Sequence, residues 1–538
     1  MVRQIGLRAL LILIVSRSGF SKAVHVITVI IGDSPTMGYV AQSPGYDVAF
    51  SREVGLFPSP LQNVTRQTVY RPGAFSCSEA AEIIPFVAVE ISNILDEHRF
   101  DFNVLISPGC SLEVMTLGDF AREWNVPLLA TVAIDQSLSN VQRYPTVVTF
   151  ASSEQMSLIR VMMFLLDRFS WTTIGLICED PNLKVPDRGV FYFTACRGFR
   201  TALGGQKHKY NLNVHYFDPK IKEGDLDAYS SVLRNAATQS RVIILLITTN
   251  PRLRDFMMNA ERLGMTEGDY IFIAPRSPLL PTEGMQIRNG SHRPADSAFQ
   301  SLMLVYNPNP NWAALHEVLQ SIRNVSEVRY NKSLTNIEML NDITVSAFEV
   351  MTILLKVIRD LSPLDMNVQN GITFRQLFLN RTFNPLSRPV YIGPKGMRIC
   401  DVHISKFNVT SGLMEVSDEY LSVAGNSVRT HALSTVWRGR DGPPVNRPFC
   451  GYTGELCLGG LAKTAVITLA VSISTALLAT LAIFIAMYHC ILGRSGHGSG
   501  RPWWDLQPDL LFVTPKPTAW KSLSSHGEVS TNSLGPVF

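Results

Sequence analysis

A run of 25 residues without a charge, Thr464–Tyr488 (TAVITLAVSISTALLATLAIFIAMY), constrains this chain more than any other feature. As a helix it would cover roughly 37 Å at 1.5 Å per residue, enough for a ~30 Å hydrocarbon core with some tilt. Helices buried in soluble cores seldom run that far without a charge, so the run predicts a transmembrane helix. Met1–Ala23 carries the second apolar signal. Arg3 and Arg8 precede or flank the short run Ala9–Val15, which is too short to span but suits a signal peptide, and Ser21 and Ala23 place small residues at −3 and −1 of a cleavage site. A removed signal puts the following residues outside, in agreement with Arg494 and Arg501 just beyond the span. The expected layout is a signal peptide at 1–23, an ectodomain at 24–442, a juxtamembrane cysteine segment at 443–463, the span at 464–488 and a short cytoplasmic tail at 489–538. The chain would sit in the plasma membrane as a single-pass protein with its N-terminus extracellular.

Two further patterns agree with that orientation. Acceptor sequences Asn-x-Ser/Thr occur at Asn63, Asn289, Asn324, Asn331, Asn380 and Asn408, all before the span. Seven of the eight cysteines, Cys77, Cys110, Cys178, Cys196, Cys400, Cys450 and Cys457, also precede it, where disulfides persist. They have no CxxC pairing and no histidines at metal spacing, so they do not read as a zinc site. Pairing of neighbours (Cys77–Cys110, Cys178–Cys196, Cys450–Cys457) is the simplest connectivity. It leaves Cys400 odd, either a buried thiol or a bond between chains. Cys490, at the inner membrane edge, is either an acylation site or a plain thiol.

Hydrophobics at 46% and charged residues at 17% describe a chain able to bury large cores, and a net charge of +4 without a polybasic block argues against nucleic acid as a partner. Between residue 24 and about 442, apolar strand-like runs alternate with helical ones. Val24–Ile31, Phe102–Ser107, Thr172–Cys178, Val242–Thr248 and Tyr270–Ala274 read as buried strands, and Glu79–Glu97, Leu112–Asn125, Glu154–Phe169 and Ile343–Leu361 as helices with 3.6-residue periodicity. The fold class is therefore α/β, with doubly wound parallel sheets in two lobes and a hinge near residue 150. Such lobes place a ligand cleft at the carboxyl ends of the strands, here at Gly32–Met37, Pro108–Ser111 and Thr131–Asp135. No GxGxxG, Walker A, HExxH or GxSxG pattern is present, and Glu179-Asp180 reads as a solvated strand end. The 45 residues of Arg494–Phe538 cannot enclose a catalytic domain, so no enzyme activity is expected of this chain.

Several phrases resemble one family. Ile106–Ser111 (ISPGCS), Ala121–Leu129 (AREWNVPLL), Tyr144-Pro145-Thr146 and Phe169-Ser170-Trp171 are similar to the ligand-binding region of receptor guanylyl cyclases and natriuretic peptide receptors. So are Arg241–Ile247 (RVIILLI), Arg262–Tyr270, Asn380–Phe383 and the juxtamembrane run Val436–Cys457, with its Trp, Gly-Pro-Pro and Cys-Gly signature. The inner segment ending Asp509–Phe512 resembles the stretch that leads into a kinase-homology domain. The resemblance implies a type I periplasmic-binding-protein-like ectodomain that binds a peptide or small signal and dimerises, with itself or with a full-length receptor cyclase. It matches Gly109 and Cys110 to the family's chloride-binding loop, making a structural chloride the one candidate cofactor, and Cys77 and Cys110 to the family's first disulfide. The family's Asn-Gly-Asp-Arg turn is replaced here by Gly393–Arg398 (GPKGMR).

The leading expectation is a receptor that signals or sequesters ligand without its own cyclase. A truncated form of a full cyclase making cyclic GMP is the first alternative. The second is an amino-acid-binding receptor ectodomain, for which Ser111 and Thr131 are the candidate hydroxyl donors in the cleft.

Overall fold

The computed structural model describes residues 22–494 apart from 153–154, 181–187, 223, 248, 277–297, 362–364, 367, 424–426, 432–436, 438–441 and 458–459. The signal-peptide stretch up to residue 21, the tail beyond residue 494 and the acceptor sequence at Asn289 lie outside the described residues. Two units separate, Met1–Cys457 and Leu458–Phe538.

The first lobe begins with β1 (Val24–Ile31), VHVITVII, buried along its whole length. Its β-branched residues suit a strand covered on both faces. It lies between β2 (Val64–Arg71) and β3 (Phe102–Ser107), and β4 (Leu128–Ala130) and β5 (Val147–Thr149) complete a five-stranded parallel sheet in the order β2-β1-β3-β4-β5. Ile27, Val29 and Ile31 pack toward α2 (Cys77–Glu97) and α3 (Ser111–Trp124), while Val24, Val26 and Ile30 pack toward α1 (Tyr39–Leu56). The start of α2 is fixed by a capping box: the Ser76 hydroxyl accepts from the Glu79 amide, and the Glu79 carboxylate accepts from the Ser76 amide. The end of α3 is fixed by Asn125 in the left-handed region, φ 53°.

The chain then crosses to a second lobe, where α4 (Gln155–Arg168), β6 (Thr173–Glu179), α5 (Arg188–Gly204), β7 (Asn211–Phe217), α6 (Ser230–Ala237), β8 (Val242–Leu246), α7 (Asn250–Arg262), β9 (Ile271–Pro275) and β10 (Leu302–Tyr306) repeat the alternation. One sheet face packs on α4 and α5, the other on α6 and α7.

After β10 the chain returns. α8 (His316–Tyr330), α9 (Asp342–Asp360) and α10 (Gly371–Gln376) join α1 over the first sheet, followed by a small antiparallel sheet of β11 (Arg381–Phe383), β12 (Val390–Ile392) and β13 (Arg398–Ile399). A third crossing delivers β14 (Val402–Asn408) antiparallel to β10. With β15 (Leu413–Leu421) and β16 (Ser427–Thr430) it extends the second sheet to eight strands, β16-β15-β14-β10-β9-β8-β6-β7. Where the sequence suggests one hinge near residue 150, the chain passes between lobes three times.

In the other unit, α11 (Gly460–Arg494) contains Ile467–Cys490, 24 residues of mean hydropathy 2.3, long and apolar enough to cross a bilayer.

Candidate ligand-binding site and hinge

At the carboxyl ends of the first sheet, the loop after β1 turns at Gly32, φ 86°, where a Cβ would meet the Ala74 carbonyl oxygen at 2.0 Å. Only glycine fits there. Asp33 next accepts from the Gly73 amide (2.9 Å) and from the Tyr70 phenol, and Tyr70 stacks on Tyr39 with centroids 4.1 Å apart. The Cys77–Cys110 disulfide joins the beginnings of α2 and α3, Cα atoms 5.9 Å apart. Ile31, Ser34, Met37, Cys77, Gly109 and Glu113 line the small pocket between these loops.

Glu113, in the first turn of α3, is 3% exposed. Its carboxyl accepts from the Cys110 backbone amide and lies 3.5 Å from the Ser107 hydroxyl, which itself accepts from the Gly109 amide at 3.0 Å. Burial pushes this carboxyl up to about 8, against the smaller lowering effect of those hydrogen bonds. The Gly109–Cys110 loop therefore already holds a carboxyl against its backbone.

Both candidate cleft hydroxyls are engaged in structural bonds. Ser111 Oγ accepts from the Ile134 and Asp135 amides, each at 3.0 Å, which shapes the loop after β4. Thr131 is buried, its hydroxyl 3.2 Å from the Tyr46 phenol. The group that reaches across the cleft is instead Asp135, which accepts from Arg197 on α5 of the second lobe at 3.1 Å. Cys196, beside Arg197, is disulfide-bonded to Cys178 of β6.

The three crossings meet at one side chain. Glu349, in the middle of α9, has no solvent exposure. Arg398 donates through Nη1 to Glu349 (2.8 Å) and to Phe150 O at the first crossing (3.2 Å). Arg388 donates through Nε to Glu349 (3.2 Å), through Nη1 to Pro308 O at the second crossing (2.9 Å), and pairs with Asp342. Arg398 stands just before the third crossing, where the buried Cys400 thiol meets Ser152 O at 3.5 Å. Burial opposes ionisation of Glu349, yet the Arg398 and Arg388 guanidiniums and the Ser387 hydroxyl hold its carboxyl below the usual carboxylate range.

The segment leading out of the second lobe is bonded to its base. Trp171 Nε1 donates to Pro444 O (2.8 Å), and Asn446 Oδ1 accepts from the Thr172 and Thr173 amides (2.7 and 2.9 Å) while its Nδ2 donates to the Thr172 hydroxyl (2.8 Å). Arg241 donates to Tyr452 O (3.0 Å) and lies over the rings of Tyr270 and Tyr452. Lys406 Nζ sits over the Trp437 ring at 4.4 Å, and burial brings its ammonium down to about 8. Cys450–Cys457 closes the segment as a short clip.

Of the glycosylation asparagines, Asn63, Asn324, Asn331 and Asn380 are exposed, whereas Asn408 is half-buried with Nδ2 donating to Glu415 at 2.7 Å. Asp135 ends the Thr131–Asp135 transition expected at the cleft, whereas Glu113, Arg197 and Glu349 escape sequence reading. Only Glu349 carries a signal, a lone acid inside an otherwise apolar helical run.

Two α/β lobes, each with parallel strands ending at a shared cleft and three chain crossings between them, define a hinged ligand-binding module. The family description "receptor family ligand binding region" matches residues 83–410, more than half of the chain, and the chain belongs to that family. Human atrial natriuretic peptide receptor 3 is 23% identical over 332 residues, covering 60% of this chain and 58% of the receptor. Mouse guanylate cyclase 2G is 20% identical over 492 residues, 85% of this chain and 41% of the cyclase. Glutamate receptor 3.2 of Arabidopsis thaliana is 28% identical over 181 residues, 32% of this chain and 18% of that receptor. The chain thus spans less than three fifths of the length of each of these relatives.

Proposed function

We propose that the chain is a single-pass cell-surface receptor, N-terminus extracellular, that binds an extracellular peptide or small ligand as a dimer and either signals or sequesters it. The observation that carries this reading is the bonding of residues 442–457 to the base of the second lobe through Trp171, Thr172 and Arg241. A movement of that lobe about the hinge would carry the juxtamembrane segment with it, which is how ligand binding would bias two receptor states. Acceptor asparagines exposed on the ectodomain support an extracellular placement.

The first lobe offers the dimer surface. Phe86 and Val89, on the outer face of α2, are 76% and 64% exposed, and Phe75 is 62% exposed just before that helix. A second copy is the occupant that suits this face, because chains anchored in one membrane present the same helix in the same orientation and a two-fold contact closes. The likeness to a glutamate receptor would favour an amino-acid ligand, but the Ser111 and Thr131 hydroxyls it would need are engaged elsewhere. The test is chemical cross-linking of the full chain on intact cells, with and without an atrial natriuretic peptide as probe. The expected result is a dimer that Phe86→Glu weakens and whose cross-linking pattern changes with ligand; a ligand-insensitive monomer overturns the reading.

A further inference from the structure

A backbone loop opening a helix attracts a negative group, because its amides have no partner within the helix and the helix dipole points the same way. At Gly109–Cys110 that attraction is met from inside the chain. Glu113 is three residues past Cys110, the residue that caps α3, so its side chain folds back onto the Cys110 amide as an acid near a helix start does. The fit is close: a Cβ on Gly109 would stand 2.3 Å from both Cδ and Oε1 of Glu113, so the carboxyl fills the space directly over the loop backbone. Ser107, the nearest hydroxyl, is 3.5 Å from Oε1, and its own oxygen takes the Gly109 amide. Among the described residues no basic side chain pairs with this carboxyl, so nothing there would balance a second anion.

We propose that Glu113 is the loop's own occupant: its carboxyl takes the place at the Gly109–Cys110 backbone that the family resemblance gives to chloride, and the chain binds no halide there. An anion beside it would meet either a like charge or, with the carboxyl protonated, a site already filled. The side chain that excludes the ion also defines what its removal should create. Truncating Glu113 leaves an amide-lined space beside a disulfide, open to a small anion.

Thermal unfolding of the full chain in lipid nanodiscs tests this, with chloride exchanged for gluconate at constant ionic strength. The midpoint of the unaltered chain is expected to stay flat. That of Glu113→Ala is expected to rise saturably, by about 2 °C at chloride tenfold above its dissociation constant. Glu113→Ser serves as the second variant should the alanine protein not be recovered. A saturable chloride response in the unaltered chain overturns the proposal whatever the variants do. A flat response in both the unaltered and the truncated chain overturns it as well, because the loop would then have no affinity for the carboxyl to satisfy.

Discussion

The mouth of the first lobe and the hinge each bury a glutamate completely, and the two side chains end in opposite states. Glu113 meets one backbone amide and one distant hydroxyl, so burial dominates and its carboxyl rises to about 8. Glu349 meets Arg388, Arg398 and Ser387, so the opposing charges overcome the same burial and its carboxyl is lowered. At neutral pH the first is mostly a neutral hydrogen-bonding group and the second an anion with two cations around it. Their roles differ accordingly. Glu113 fills a loop locally. Glu349 holds residues near all three crossings, Phe150, Pro308 and Arg398, to one helix, and any change in lobe angle must work against that cluster.

The comparison is sharpest under one chemical change made at both places. Glu349→Gln removes the charge that Arg388 and Arg398 share, and losing one member of a buried ion cluster costs about 3–5 kcal/mol. Compared at pH 5, Glu113→Gln swaps a carboxyl that is neutral in the folded chain for an amide of the same shape and should cost under about 1 kcal/mol. Thermal unfolding of the two full-length variants checks this, and equal losses would break the contrast. The second prediction follows from the signs of the two shifts. The folded chain holds the Glu113 proton more tightly than the unfolded chain, so its contribution to stability is full below the ordinary carboxylate value of 4.5 and is lost as pH climbs through about 8. The slope is on the order of 1.4 kcal/mol per pH unit inside that window. Tyr46, the titratable neighbour that faces it, is pushed above its ordinary range by burial and stays protonated throughout. Glu349 runs the other way: its contribution is present above 4.5 and lost as pH falls through its lowered value. Midpoints measured from pH 5 to 8.5 should therefore fall with pH in the unaltered chain and flatten in Glu113→Gln. The smallest effect is expected at the base of the second lobe. Asn446→Ala frees the Thr172 and Thr173 amides, for a loss of about 1 kcal/mol, and should show first as faster proteolysis within residues 442–457.

Much of the fold is legible because burial repeats with a period. β1 and β3 are short, mostly apolar runs buried almost throughout, and α2 shows Ile84, Val87, Ile91 and Ile94 on one face. α1 is not legible, because it packs between the first sheet and α9 and buries Gln42, Ser43, Asp47 and Glu53 along with its apolar residues, around an internal Pro44. No stripe survives that mixture. β2 hides for the opposite reason, since VTRQTVYR is an edge strand that buries only Val64 and Val69. The antiparallel extension from β14 to β16 is set by a long-range return to β10, which local pattern does not reveal. The site divides the same way. The three disulfides join sequence neighbours and can be guessed from order alone. Glu113 cannot, because in sequence it is an ordinary acid in a first helical turn, and only the folded loop shows that its carboxyl is sealed beneath Gly109.

The account turns on which side of the membrane the two lobes face. An epitope inserted between Ala23 and Val24 of the full chain, probed with antibody on intact cells before and after glycosidase treatment, reads that directly. Labelling without permeabilisation, together with a downward mobility shift on glycan removal, is the result the account predicts. Labelling only after permeabilisation, with mobility unchanged by the glycosidase, would contradict it.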